Sequence, residues 1–444
     1  MTADSRDAAR AAILAWVDTH RSDVVGMAQS LVRIPSENKQ PHGSEKACQM
    51  FVAETLRDLG CRVDVFTPLE VAGLTEHPAY WPGRDYTDRP NVVGVLSSQP
   101  DGLVGGPPGK DAGRRSLLFT GHIDVVPTVG EGKYGWWDGT VADGKLYGRG
   151  ANDMKGGIAA YLMAARCIRE LGLELKGDLI LETVVDEEFG GAHGSLACRL
   201  RGYNADLAIL PEPNNLLVST AHRGGQQFRL FCSTEGAGMD FGATVFRDPI
   251  LALGYLLAAL DRYNEERQPR LRECGKGFEN DVFPLMPFVL LAGELLPWGT
   301  GEAIPDTAWV EFWIEIPPGV TEEQLKAELR AVVDRTTEVT PALQRVSVRW
   351  EERTRFLAGS GMPADHPALA ALTANLAAVT GQPPTYGPAP FACDGFIFNL
   401  HSPTPVVVLG PRGGNAHAPD EWVAVDDIIT LTKTYALTIA DWLG

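Results

Sequence analysis

Thiol chemistry has little to work with in this chain. Its seven cysteines stand singly at Cys48, Cys61, Cys167, Cys198, Cys232, Cys274 and Cys393, an odd number with no Cys-x-x-Cys pair. Neither a disulfide framework nor a thiolate zinc site is indicated. Long apolar runs are also missing: none approaches the roughly 20 residues needed to cross a bilayer. Met1 to Arg10 carries acids and lacks the basic-then-apolar order of a secretory leader, so a reducing cytoplasm is the expected setting. Positive charge is short, with 39 Lys and Arg against 57 Asp and Glu and a net charge of −18. Such a surface repels phosphates and anionic headgroups, which argues against nucleic acid and membrane as partners. There is no Gly-x-Ser-x-Gly nucleophile elbow. Gly105 to Lys110 runs into Asp111, without the Ser/Thr and spacing of a phosphate loop, and Gly148-x-Gly150 lacks the third glycine of a dinucleotide fingerprint. No repeat or low-complexity tract is evident.

What is present suits an ordinary globular protein. With 444 residues, 44% hydrophobic and 22% charged, the chain can bury a sizeable core and is long enough for two domains. Val24, Ala28, Leu31 and Val32 recur at helical spacing before Pro35, and a second helix is expected over Glu45 to Leu59, stopped by Gly60. Strands are expected at Cys61 to Phe66 and Asn91 to Leu96, separated by a loop holding Tyr80, Trp81 and Tyr86. Pro100 to Arg115 reads as a Gly- and Pro-rich surface loop. Short apolar runs at Ser116–Gly121, Leu179–Val185, Leu207–Leu210 and Pro405–Leu409 have the look of strands covered on both faces, with a helix over Gly156 to Leu171. This alternation predicts an α/β domain with a mainly parallel sheet flanked by helices. The middle reads strand 227–232, helix 248–264, strand 288–292, strand 308–316, helix 321–336 and strand 345–350, the βαββαβ order of a small open-faced sandwich. The expected division is a catalytic domain of residues 1–216 and 351–444 with an inserted domain over 217–350.

Chemistry gathers at the strand exits, where ligands bind in open α/β sheets. His122 and Asp124 follow the run ending at Gly121, and Glu187 and Glu188 follow Val185. Glu212 follows Leu210, Asn415 and His417 follow Leu409, and Asp153 precedes the helix starting at Gly156. Taken singly, each has a bland reading: His-x-Asp as a turn, Asp-Glu-Glu as a solvated loop, Pro-Glu-Pro as nothing in particular. Together they put two imidazoles and several carboxylates at one sheet edge without basic residues to neutralise them. Such a group repels itself unless cations sit within it.

The text around these residues resembles the co-catalytic metallohydrolase family of acetylornithine deacetylase, succinyl-diaminopimelate desuccinylase, aminoacylase and glutamate carboxypeptidase. The resemblance lies in GHIDVVP (Gly121 to Pro127), LYGRGANDMKGG (Leu146 to Gly157), VDEEFGG (Val185 to Gly191), PEP (Pro211 to Pro213) and HAPDE (His417 to Glu421). It implies that Asp153 bridges two divalent ions, zinc first, with manganese or cobalt as alternatives. His122 and Glu212 then complete one site, and Glu188 and His417 the other. Glu187 is implied to be the general base, and Asp124 to orient the His122 ring. A cis peptide after Asp153 and a lid that can pair two copies into a homodimer are implied as well. The expected reaction is hydrolysis of an amide in a small N-acylated molecule. An N-deacylase of the acetylornithine deacetylase kind comes first, with an N-formyl-amine deformylase, a metallocarboxypeptidase or dipeptidase, and an inactive metal-binding homologue as alternatives.

The lid departs from the family pattern. Asp240 in Gly236 to Gly242 occupies the place of a His that stabilises the oxyanion. Glu302 stands for an Asn, and Glu315 for an Arg that binds a substrate carboxylate. An acidic lid is expected to select an amine-bearing substrate. His193 and His222 are the spare candidates for oxyanion donor.

Overall fold

The computed structural model describes residues 3–39, 41–97, 114–190, 193–234, 248–274, 277–292 and 306–444. Asp240, Glu302 and most of the Pro100–Arg115 loop fall outside these. The chain divides into two compact units: Met1–Ala221 with Gly361–Pro390 and Asp394–Gly444, and His222–Ser360 with Phe391–Cys393.

Ten strands carry the two main sheets among the described residues: β1 Arg62–Phe66, β2 Asn91–Ser97, β3 Ser116–His122, β4 Asp178–Val184, β5 Leu207–Leu210, β6 Gly224–Ser233, β7 Leu285–Ala292, β8 Thr307–Ile316, β9 Ser347–Glu352 and β10 Val406–Val408. In the first unit the order is β10-β5-β3-β4-β2-β1. The pairs β10/β5, β5/β3 and β3/β4 are parallel, whereas β2 runs antiparallel to both β4 and β1. The sheet is therefore mixed. No crossover helix separates β1 from β2, only a loop with a short turn at Pro68–Glu70, so the two pair in opposite directions. From Leu117 to His122 every residue of β3 is buried, and β5 is buried throughout, which is why these strands read as unbroken apolar runs. Helices Gly156–Glu170 and Val425–Leu443 pack on each other and on β3, Lys46–Asp58 packs on β1 and β2, and Gly395–His401 packs on β10.

Helix Ala3–Thr19, which the sequence reading passed over, buries Ile13, Trp16 and Val17. Its many alanines dilute the apolar stripe. Lys155 is fully buried and donates to the carbonyls of Leu31 (3.0 Å) and Ile34 (2.9 Å), tying the last turn of helix Arg21–Arg33 to the turn that bears Asp153.

The second unit is a four-stranded antiparallel sheet in the order β7-β8-β6-β9, with helices Pro249–Glu273 and Glu322–Val339 packed on it and on each other. Phe228, Leu230, Leu256, Phe312, Leu325 and Leu329 fill their shared core. Asp248 caps the first helix by accepting from the Ile250 and Leu251 amides, and Thr321 with Gln324 forms a capping box on the second. The first helix continues past the expected end at Asn264 to Glu273, through Pro269. Its last turns are docked by Arg267, which donates to the carbonyls of Phe283 (2.6 Å) and Glu315 (2.8 Å), and by Gln268, which donates to Phe283 (2.8 Å).

Candidate metal centre

Every group at the centre lies in the first unit and is delivered by the end of an element. His122 closes β3 and Asp124 lies two residues beyond it. Glu187 and Glu188 follow β4, Glu212 follows β5, and His417 lies in the loop after β10. Asp153 sits in the turn Ala151–Lys155, and its peptide bond to Met154 is cis, as the family resemblance implied. Close backbone approach sets two of these positions. A Cβ on Gly157 would lie 2.4 Å from the Pro211 carbonyl oxygen, and one on Gly410 would lie 2.0 Å from that of Glu212. Only glycine lets the His417-bearing segment pass so near the Glu212 main chain.

Asp153 is the hub. Its Oδ1 is 3.0 Å from His122 Nε2 and its Oδ2 is 3.3 Å from His417 Nε2. Each imidazole has a second carboxylate of its own: Glu212 Oε1 at 3.5 Å from His122 Nε2, and Glu188 Oε2 at 3.0 Å from His417 Nε2. Glu187 Oε2 stands 3.9 Å from His122 Nε2. Among the described residues, two groups are compact enough to hold a cation: His122 with Glu187 and Glu212, and His122 with Asp153 and Glu188, ligand atoms of each lying within 4.8 Å of one another. The Nδ1–H of His122 donates to the main-chain oxygen of Asp124 at 2.8 Å, which leaves Nε2 as the lone-pair nitrogen facing the acids.

The electrostatics are those of a site short of positive charge. Burial, reinforced by neighbouring acids, pushes Glu212 up to about 7 and raises Glu187 and Glu188 as well. Glu188 lifts His417 to about 11. Burial opposes the His122 imidazolium, but Glu212 and Asp153 raise it well above the ordinary range. Asp153, also opposed by burial, is held low by its hydrogen bonds to both histidines. Imidazole nitrogens and carboxylate oxygens, with no thiolate, form a donor set that fits two divalent ions of the zinc, manganese or cobalt kind.

One expectation is made more specific here and another is corrected. The ring of His122 is oriented by the Asp124 main chain, while the Asp124 carboxylate lies 3.8 Å from Nδ1 and serves elsewhere. It accepts from Asn38 Nδ2 (2.7 Å) and from the amides of Glu187 (3.3 Å) and Glu188 (3.2 Å). Basic residues are also present, one layer behind these groups. Asp186 is fully buried and bonded by Arg84, Tyr86 and Asn38, with Arg89 at 3.5 Å. Although burial opposes it, Arg84 holds this carboxyl below the usual range. Glu421, likewise buried, accepts from Arg149 (2.6 Å) and from the amides of Gly150, Asn152 and Asp153 at 3.0–3.1 Å. Sequence reasoning quoted Glu421 without giving it a role and missed Asn38, Arg84 and Arg89.

The spare histidines are engaged elsewhere. His193 accepts from the Trp81 amide at 2.8 Å and its other nitrogen meets the Tyr86 hydroxyl. In the second unit, His222 bonds the Arg223 carbonyl and the Ser360 hydroxyl, each at 2.7 Å, and burial lowers it to about 4. Glu315 is also paired: Arg223 lies 2.7 Å away and itself reaches Asp281 at 3.0 Å.

Residues 118–441 match the model of Peptidase family M20/M25/M40. The chain is 27% identical to an N-formyl-4-amino-5-aminomethyl-2-methylpyrimidine deformylase of Bacillus subtilis, over 96% of each chain. It is 31% identical to a succinyl-diaminopimelate desuccinylase of Nitrosomonas eutropha, over 73% of this chain and 82% of that one. Among solved structures, the di-peptidase Dug1p of Saccharomyces cerevisiae superposes with a TM-score of 0.73 at 15% identity, covering 98% of both chains.

Proposed function

Because the chain belongs to Peptidase family M20/M25/M40, and so is a metal-dependent hydrolase of carbon–nitrogen bonds, we propose that it removes a short acyl group, formyl first, from the amine of a small molecule. The observation that carries the two-ion reading is the division of Asp153, one oxygen toward each histidine. His122, Glu212 and Asp153 would hold one ion, and His417, Glu188 and Asp153 the other. When bound, such ions polarise the scissile carbonyl and make water acidic enough for a carboxylate base.

The protein's own groups do the rest. Glu187 accepts a proton from the attacking water as its oxygen bonds to the acyl carbon. The carbon–nitrogen bond then breaks, and Glu187 passes the proton to the leaving nitrogen, giving a free amine and a carboxylic acid, which is formate for a formyl group. Burial raises Glu187 above the usual carboxylate range, which favours its holding the proton between the two transfers.

For the acyl group, the support is the likeness to the deformylase across 96% of both chains, broader than that to the desuccinylase. Both relatives release an acyl group from an amine, which favours deacylation over peptide cleavage. A carboxypeptidase reading lacks its carboxylate anchor at position 315, where the acid itself occupies Arg223. Selection of an amine by the lid therefore rests on Asp240 alone. The inserted unit is also the proposed homodimer surface, and zinc the first metal. A panel of N-formyl, N-acetyl and N-succinyl amines and of dipeptides, assayed with zinc and with manganese, tests the reading. The formyl heteroaromatic amine is expected to give the highest kcat/KM, and a dipeptide turned over faster than every N-acyl amine would overturn it.

A further inference from the structure

The centre is supported from behind by a buried network built from the N-terminal segment and the loop between β1 and β2. Asn38 is fully buried, and its amide spans two carboxylates, Nδ2 lying 2.7 Å from Asp124 Oδ2 and 3.3 Å from Asp186 Oδ1. Its carbonyl oxygen accepts from Arg84 Nη2 at 3.1 Å, and Arg84 Nε donates to Asp186 at 2.8 Å. The Asn38 main chain is fixed too, its amide donating to Val125 at 2.9 Å. Asp124 in turn accepts the amides of both Glu187 and Glu188. Asp186 has φ +73°, a left-handed conformation uncommon outside glycine, and its buried carboxylate is held by the partners named above.

We infer that Asn38 and Arg84 are positioning residues for the base: through Asp124 and Asp186 they fix the main chain of residues 186–188, and so aim the Glu187 carboxylate. The inference rests on Glu187 acting as the base. The geometry gives the reason. A carboxylate has no donor of its own, so Asp124 and Asp186 stay side by side only if a donor sits between them. The Asn38 amide is that donor, and an acid in its place would be repelled by both. Arg84 holds the amide the right way round by bonding its oxygen, which leaves the NH2 facing the two acids. The peptides of Glu187 and Glu188 then hang from Asp124, with one side chain directed toward His122 and the other toward His417. A small rotation of this segment would displace the base, and Glu188 with it, while leaving His122, Asp153, Glu212 and His417 in place.

The test is a double-mutant cycle on the intact protein, using the best substrate from the panel above. Asn38→Ala is expected to lower kcat about 10–100-fold with KM within threefold, the scale typical of groups that orient an active-site residue. In the Glu187→Gln background the same change should cost less than threefold, because the base it aims is gone. Weakening of the looser zinc by about tenfold, read by chelator competition, is expected alongside, since Glu188 hangs from the same carboxylate. Equal losses in both backgrounds, or a loss that only tracks the fraction of unfolded chain in thermal melts, would reduce Asn38 to a structural residue. Should Asn38→Ala fail to fold, Arg84→Lys, which keeps the charge but not the fork, is put through the same cycle with the same two outcomes. Full activity of Glu187→Gln alone would instead refute the base itself, so the two failures are distinct.

Discussion

At the scale of single residues, the neighbours Glu187 and Glu188 face different partners. Glu188 lies 3.0 Å from His417 Nε2, and Glu187 lies 3.9 Å from His122 Nε2 within reach of Glu212. Glu187→Gln is expected to lower kcat about 10²–10⁴-fold, the scale of a general base, with two zinc ions per chain retained by elemental analysis. Glu188→Gln is expected to lose an ion. The opposite pattern would make Glu187 a ligand of the first ion, as its closeness to His122 and Glu212 allows, and Glu188 the base. The groups legible in the sequence were those at strand exits, because an unbroken buried run such as Leu117–Gly121 announces where its strand ends. Asn38, Arg84 and Glu421 gave no such signal. Asn38 meets Asp124 across 86 positions and Glu421 meets Gly150 across 271, and no local pattern marks a partner so far away. Asp124 was legible as the partner of the His122 ring, but not that its main-chain oxygen makes the contact, since sequence names a residue and not its atoms.

At the scale of elements, the segment from Asn415 to Glu421 is the most constrained piece near the centre. Asn415, His417 and Asp420 all have φ between +56° and +62°, although none is glycine. The segment is held down by Asp420, which accepts from the amides of Lys133 (3.0 Å) and Tyr134 (2.9 Å), and by Glu421 on the Asp153 turn. One short stretch thus carries a histidine and fastens the opposite carboxylate. Glu421→Gln keeps the shape but leaves Arg149 buried with its charge unmatched, and should lower thermal stability by about 3 kcal/mol. Zinc affinity should fall 10–100-fold in parallel, measured by chelator competition. Unchanged melting together with unchanged affinity would show that the turn holds itself. The α/β class and the βαββαβ order were readable because periodicities of 2 and 3.6 are local. The reversed β2 was not, since direction depends on the path of a loop rather than on the strand's residues.

At the scale of the whole molecule, the second unit offers an interface. Strand β7 lies at the edge of its sheet and exposes Met286 (41%), Phe288 (54%) and Leu290 (63%). An exposed apolar edge invites another strand, and a second copy is the proposed occupant. Light scattering is expected to give twice the chain mass. Leu290→Lys should shift it to the monomer, and a parent protein that is monomeric at tens of micromolar would sink the dimer. The same unit also interrupts the chain between Glu212 and His417. The ends of its continuous stretch, His222 and Ser360, are joined by a 2.7 Å hydrogen bond, so 139 residues begin and end at one point. As an unfolded tether, that stretch would oppose the meeting of the two flanking segments by about 4 kcal/mol of loop-closure entropy. Once folded, it is a hairpin of negligible effective length. The insert therefore acts as an intramolecular splint, removing that closure cost between the segments that bear Glu212 and His417.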